Sequence, residues 1–581
     1  MSLLNKASLI QIPSGYKDGT LYSAKPTNGD GDFTFSRGSN LAATRVNSEG
    51  LIEKGRENLL LQSNSFDTTW VNSSSTETGG QSGYDGTNNA WLIDKTAAGG
   101  YIYQNIITSG VVSASIYLKS GTLDWVLFII NGASSFATVY ADLSNGVIGT
   151  TSGGDYINSS IESVGNGWYR LTLTSKDGTT RVRIYPADDD NDTSGTSGNI
   201  LIQDAQLEVG LVATDYIETG ASTAQAGILE DMPRLDYSGG ATCGSLLLEP
   251  SRTQLVTQSE YFGAWNNART IDTDNQATSP EGVVNAAYLE QQSGQTNAGS
   301  IYFGVTFPST SDYTTSIFAK KGEKDFIVAY DKNTNRTYFN LDTGTVGTTP
   351  SGVTASIEDF GNGWYRCSAT FNTAAGGGNI AWYLGDTDNS STVTDSGGVY
   401  IYGAMLEAGS YPTSYIPTYG SGSSVTRGED VCLNGGDSST FNDSEGVFFF
   451  QGSTLVEAGE TRVISISDGS TSNNIYMNFN NNANSFNCEV ISSGSTQFNP
   501  SVTMTKVNNN KIAIKYKEND FALWINGVEV ATDTSGSTPT GLDRFNFDFG
   551  QGSFDYKGNV KQAIYFNSAL TDDELAALTT I

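Results

Sequence analysis

Two loops concentrate carboxylates at short spacing. PADDDNDTSGTSGN (186–199) places Asp188, Asp190 and Asp192 at alternate positions, and GDTDNSSTVTDSGG (385–398) carries Asp386, Asp388 and Asp395. Clustered Asp, Asn and backbone carbonyls can hold Ca²⁺, which takes roughly six to eight oxygen ligands. The first loop lacks the glycine and terminal glutamate of an EF-hand, and Asp and Asn are equally at home in solvated turns. A structural Ca²⁺ is one expectation and a plain polar loop the other; no other cofactor is expected. The chain has no histidine, which removes Ser-His-Asp and Cys-His sites, HExxH zinc sites and three-His metal centres. Paired carboxylates could still run glycoside hydrolysis. Among 62 acidic residues, however, pairs arise by chance, and no spacing marks an acid and a nucleophile. Cys243, Cys367, Cys432 and Cys488 form no CxxC pair; they read as small buried apolar residues, the alternative being a disulfide between two of them, for which the spacing offers no framework. The expectation is a protein without catalysis.

Saccharide recognition asks for an aromatic face against the apolar side of a sugar ring, with amide or carboxylate groups for its hydroxyls. Trp91, Trp382, Tyr383 and Tyr411 are the candidate platforms. Trp382 stands where the repeat described below has Ile184. Pointing outward, it would give the two copies different ligands; pointing inward, it is a change within the core.

The elements that position these residues follow from an internal repeat. ENLLLQSNSFDTTW (Glu57–Trp70) recurs as TQLVTQSEYFGAW (Thr253–Trp265), and SIYLKSGTLDW (Ser115–Trp125) as SIFAKKGEKDF (Ser316–Phe326). VYADLSNGVIGTT (Val139–Thr151) recurs as TYFNLDTGTVGTT (Thr337–Thr349), and IESVGNGWYRLTLT (Ile161–Thr174) as IEDFGNGWYRCSAT (Ile357–Thr370). QLEVGLVATDYIET (Gln206–Thr219) recurs as MLEAGSYPTSYIPT (Met405–Thr418), and all five blocks keep one order at offsets of 195 to 201 residues. Two copies of one module are therefore present, at 57–220 and 251–419, joined by a connector at 221–250. Period-two alternation and Gly, Asn, Asp and Ser clusters between short runs predict strands, and strands of this length predict antiparallel jelly-roll sandwiches. The paired Trp70/Trp265 and Trp168/Trp364 read as core anchors. A third unit, 420–581, also reads as strands, with an Asn526-Gly527 hairpin and a Thr571/Glu574 capping box opening a short helix. The segment 1–56 is too small and polar to build much core alone, so it is expected to pack on a partner or a neighbouring subunit.

With 62 acidic against 31 basic side chains the net charge is −31, which argues against nucleic acid and against anionic bilayers as partners. No apolar run reaches the ~18–20 residues of a membrane span, and MSLLNKASLIQIP has no continuous apolar stretch, so neither membrane insertion nor a secretory signal is expected.

Several phrases resemble segments of tailed-bacteriophage virion proteins: IPSGYKDGTLYSAKPTNGDGDFTFSRGSNLAATRVNSEGLIE, SLLLEPSRTQL, NGWYR and LEAGSYPTSYIPT. Such chains string together carbohydrate-binding-module-like jelly rolls and often end in a concanavalin A-like (laminin-G-like) sandwich. INGVEVA (Ile525–Ala531) and YFNSALTDDELAALT (Tyr565–Thr579) resemble that last unit. The resemblance implies a tail- or head-fibre adhesin for host-surface glycans on the exterior of the virion, made in the host cytoplasm. It also implies attachment to other virion proteins through 1–56, and homo-oligomers with a trimer favoured. The alternative is a passive capsid-decoration or tail-scaffold protein without a working glycan site.

Overall fold

The computed structural model describes residues 3–39, 41–393, 396–455, 459–480 and 485–581. The chain is all-β, and its large sheets are antiparallel and packed as sandwiches. Among the described residues no helix is long and apolar enough to cross a membrane.

Each repeated module is two six-stranded sheets face to face. In module 1 the front sheet runs Val147–Ser152, Phe136–Asp142, Trp125–Asn131, Arg181–Ala187, Tyr101–Asn105, Val71–Ser73. Its back sheet runs Tyr156–Gly165, Trp168–Ser175, Val112–Ser120, Gly198–Val209, Ala90–Lys95, Ser75–Gln81. Module 2 repeats this arrangement, with Ser300–Phe307, Gly376–Gly385, Phe326–Tyr330 and Arg336–Asn340 central to its front sheet. Alternate residues point inward, so Val126, Phe128, Ile130, Val182 and Ile184 fill the first core, and Ile327, Ile380, Trp382 and Leu384 the second. Trp70 and Trp265 belong to these cores. Trp168 and Trp364 are equally buried, but on the outer side of the back sheets, where Trp364 lies with Ala42 and Ile52 of the N-terminal segment. Module 2 presents Tyr402 and Met405 to that cover, where module 1 has Gln203 and Gln206.

Both back sheets bulge at the same place, at Ser115/Tyr117 and Ser316/Phe318. The bulged position needs left-handed backbone: Gly403 takes it in module 2 (φ 60°), Asp204 in module 1 (φ 52°). The Asp204 carboxyl is buried at 5% exposure and accepts a 2.8 Å bond from the Tyr84 hydroxyl. Loss of hydration raises its pKa to about 6. Above that pH the folded state holds an ionised, poorly solvated carboxylate; below the ordinary Asp range both states are neutral. Asp204→Asn, which tolerates the same backbone, is therefore expected to raise the melting temperature by a few degrees at pH 8 and to change nothing near pH 3.5, readable by calorimetry.

The third sandwich is assembled from distant parts of the chain. One sheet contains Glu445–Thr454, Asn510–Lys517, Phe521–Ile525, Val528–Asp533 and Gly558–Phe566. Gly558–Phe566 also pairs with Ser245–Leu248 from the connector and with Ala7–Gln11 from the N-terminus. The facing sheet holds Arg462–Ser467, Asn474–Phe479 and Ser485–Ser492. Leu9, Leu21, Phe33, Phe35, Leu235, Leu246 and Leu248 share one core with Phe448, Phe450 and Phe545. The N-terminal segment, expected to pack on another molecule, thus completes a sheet of its own chain, and the sequence partition at 56 and 250 does not follow the packing. The Asn526-Gly527 turn has both residues at positive φ (51° and 84°) and joins Ile525 to Val528, as a two-residue hairpin requires. Helix Asp572–Thr579 opens with the Thr571/Glu574 capping box. Cys367, Cys432 and Cys488 are buried as expected, whereas Cys243 is exposed; all four are free.

Two buried ionic clusters pin the units together. In the first, Asp430 takes Arg37 (3.2 Å) and Arg234, while Glu249 takes Arg234 (2.8 Å) and Arg427 (2.9 Å). Every side chain in it is at most 3% exposed. Burial drives the Glu249 pKa upward, but Arg427 and Arg234 outweigh it and hold the group down at about 2. In the second, Lys54 from the N-terminal segment lies 2.8 Å from both Glu260 and Glu281 of module 2. Tyr415 donates to Glu260 (3.0 Å) and Tyr402 to Glu281 (2.6 Å).

Candidate functional site

The front sheets decide where aromatic groups meet solvent. In module 1 the strand R-V-R-I-Y-P-A (Arg181–Ala187) points Val182 and Ile184 inward, so Arg181, Arg183 and Tyr185 point out. The register then builds rows across the face. Tyr103 pairs with Arg183, Arg183 with Ile129 and Ile129 with Thr138. In the next row Tyr185 pairs with Leu127 and Leu127 with Tyr140, and Tyr101 stacks on Tyr185 at 4.4 Å between ring centres. The Arg181 guanidinium lies 4.4 Å over the Tyr103 ring and Arg183 lies 5.6 Å over Tyr101, both within cation–π range. Arg183 donates to the Tyr185 hydroxyl (3.1 Å) and Arg181 to Asn105 Oδ1 (2.7 Å). Burial raises the Tyr185 pKa and Arg183 pulls it back, so the phenol remains protonated near neutrality. Tyr101, Tyr103, Tyr140, Arg181 and Arg183 are half-buried: packed at the base, open at the edge.

Module 2 carries the same composition on the same face by different residues. Tyr302 pairs with Ala381, Ala381 with Tyr330 and Tyr330 with Arg336, while Tyr383, Val328 and Tyr338 form the adjoining row. Arg336 lies 4.9 Å over the Tyr383 ring, and Tyr330 and Tyr383 are 5.4 Å apart. The repeat aligns Tyr302 with Tyr103, Tyr338 with Tyr140 and Tyr383 with Tyr185. It sets Ala381 at the place of Arg183 and Arg336 at the place of Thr138. The guanidinium has moved two strands along one row, yet both faces keep arginine over a tyrosine ring and four tyrosines, of which Tyr185 and Tyr338 are buried (8% and 3% exposed) and the other three on each face half-buried.

Of the residues singled out from sequence, Tyr383 is on this face. Trp382 is fully buried among Ile301, Ile327 and Phe339, so its difference from Ile184 is a change within the core. Trp91 is half-buried beside Phe66 with its indole N–H on the Asn64 carbonyl (3.0 Å), clear of the front sheet. Tyr411 lies under the Arg252 guanidinium (5.5 Å), away from both front sheets. The residues that make up the module 1 face, Tyr101, Tyr103, Tyr185, Arg181 and Arg183, were passed over. Their signal was present as alternation in YIYQN and RVRIYPA, where aromatics and arginines share one parity.

The acidic loops engage protein donors. Asp188 accepts from Lys95 and from Gly195 N (2.8 Å). Asp190 accepts from Thr150 N (2.8 Å) and Thr150 Oγ1 (2.9 Å), and Asp388 accepts from Thr348 N and Oγ1 at the same two distances. Asp386 accepts from Lys324 (2.6 Å), and Asp192 from Ser194 N (2.8 Å). Among the described residues no three carboxylates or thiolates are grouped as metal ligands would be; Asp395 lies outside them. The matched Asp–Thr brackets fasten each loop to the neighbouring front-sheet hairpin.

No protein-family model matches the chain, and no curated protein sequence matches it. Among solved structures it is similar to the CBM40 module of the Ruminococcus gnavus IT-sialidase bound to alpha2,3 sialyllactose. That match has 18% identity and a TM-score of 0.23, over 26% of this chain and 94% of that one. It is also similar to the CBM22-1–CBM22-2 tandem domain of Paenibacillus barcinonensis Xyn10C, at 13% identity and a TM-score of 0.18, over 64% of this chain and 99% of that one.

Proposed function

We propose that this chain is a non-catalytic glycan-binding protein that holds saccharides on the front sheets of its two modules. The supporting observation is the tyrosine–arginine face, kept in both copies while the arginine changes strand. Tyrosine rings offer flat apolar surface for the C–H side of a pyranose, and guanidinium, amide and phenol groups offer partners for hydroxyls. On the sequence resemblance we place the protein on the exterior of a bacteriophage particle as a fibre-type adhesin, with 420–581 as its concanavalin A-like unit. Single sites of this kind are weak, and useful affinity comes from two modules per chain and several chains per particle. The second reading is a passive capsid-decoration or tail-scaffold protein without a working glycan site.

The test is a glycan array and host-cell binding assay on the full chain, with Tyr103→Ala and Tyr302→Ala alone and together. Each single change is expected to weaken binding about tenfold, in line with the loss of one aromatic contact, and the double change to abolish the avidity gain. A folded wild-type chain that binds no glycan and no host cell would transfer support to the decoration reading.

A further inference from the structure

We infer that the module 1 face selects an acidic saccharide, seating a sugar carboxylate at Arg181 and Arg183; this rests on the glycan reading above and names its ligand class. The first ground is charge. Acidic residues outnumber basic ones two to one, 62 to 31, and the deeply buried Arg37, Arg234 and Arg427 are all ion-paired. Arg181 and Arg183 lie side by side on an open face with neutral partners: Asn105, the Tyr185 hydroxyl and two tyrosine rings. Among the described residues neither has a carboxylate within ion-pair distance. Two neighbouring guanidiniums without counter-charge repel each other, and a bidentate carboxylate both satisfies their free N–H groups and removes that repulsion.

The second ground is polarity along the strand. From Arg181 the chain runs to Asp188 at the other end of the face, a separation of roughly 23 Å at the ~3.3 Å rise of a strand. That exceeds the ~8 Å over which exposed charges act in physiological salt, so the acidic loop does not cancel the arginines. The ligand's carboxylate belongs at the arginine end, and its hydroxyls toward Asp190 and Asp192. The third ground is the comparison between copies. Module 2 has Asn379 where module 1 has Arg181, and a single guanidinium, Arg336, on its face. The repeat therefore presents an acid-selective face and a weaker one.

The experiment measures binding of the full chain to oligogalacturonates and other uronic-acid oligosaccharides, each paired with its carboxyl-reduced neutral form, at low and physiological salt. Wild type is expected to prefer the acidic member by about ten- to a hundredfold, the worth of a charged hydrogen-bonded contact. Arg181→Gln with Arg183→Gln is expected to erase the preference, so that the acidic and the neutral member bind equally. Arg336→Gln is expected to leave most of the preference intact. Unchanged circular dichroism and melting temperature show that each variant is folded. Equal binding of both members, or a preference that survives the double change, overturns acid selection while the glycan reading stands. Binding of neither member by folded wild type overturns acid selection, and the glycan array and host-cell assay above decide separately whether the glycan reading stands.

Discussion

Asp430→Ala is expected to melt the C-terminal sandwich at a much lower temperature than wild type and to release the N-terminal segment to proteases. Asp430 accepts from Arg37, from Arg234 and from the Glu249 backbone N–H (2.9 Å). Removing it leaves two buried guanidiniums with less counter-charge, and breaking a buried pair from one side costs about 3–5 kcal/mol. The control is Arg45→Ala: Arg45 pairs with Glu53 where the two side chains are 14% and 30% exposed, and the expected cost is under about 1 kcal/mol. Calorimetry with limited proteolysis reads both, and equal melting of the two variants would remove the ionic cluster as a keystone. The cluster also sets acid stability. The Glu249 pKa is lowered in the folded chain, so its contribution is complete above the ordinary Glu pKa of 4.5 and declines as pH falls toward about 2. The urea midpoint is expected to drop across that window in wild type.

The second large effect concerns fragments. Residues 57–220 hold the whole core of module 1 and are expected to fold alone with a cooperative melt. Residues 420–581 are expected not to, because the core there lacks Leu9, Leu21, Phe33, Phe35, Leu235, Leu246 and Leu248. Each such side chain contributes roughly 1.5–3 kcal/mol on burial, so their joint loss matches or exceeds the ~5–15 kcal/mol that stabilises a typical domain. Near-ultraviolet circular dichroism and dye binding on the two fragments decide it; a cooperative melt of 420–581 alone would show that the borrowed strands are ornamental.

Sequence reading reached furthest where information is local or repeated. Five aligned blocks gave the two modules, alternation gave their strands, and Asn526-Gly527 and Thr571/Glu574 gave a hairpin and a helix cap that the structure reproduces. It fell short where the deciding partner is remote. Nothing near Ala7–Gln11 says that its neighbour is Gly558–Phe566, and nothing near Lys54 names Glu260 and Glu281. The candidate face shows a subtler limit. Trp382 differs from Ile184 of the first copy, but parity points it inward, and the adjacent, half-buried Tyr383 lies on the outer face. The face became visible only when the register laid Tyr103, Arg183 and their neighbours in one row, and when the second copy showed the same row rebuilt with the arginine elsewhere.

The pairing of Ala7 with Phe566 also bears on how the chain is made. The partners are 559 residues apart in sequence (566 − 7), and a ribosome adding ~5–20 residues per second needs roughly half a minute to two minutes to span that distance. Both modules can emerge and fold in that interval, while Leu9, Phe33 and Phe35 wait without a sheet to join. The strand Ala7–Gln11 is thus synthesised long before its partner Gly558–Phe566 and is among the last to be seated. During translation this waiting segment is the natural target for a chaperone, or for a premature match with the finished C-terminal half of another copy.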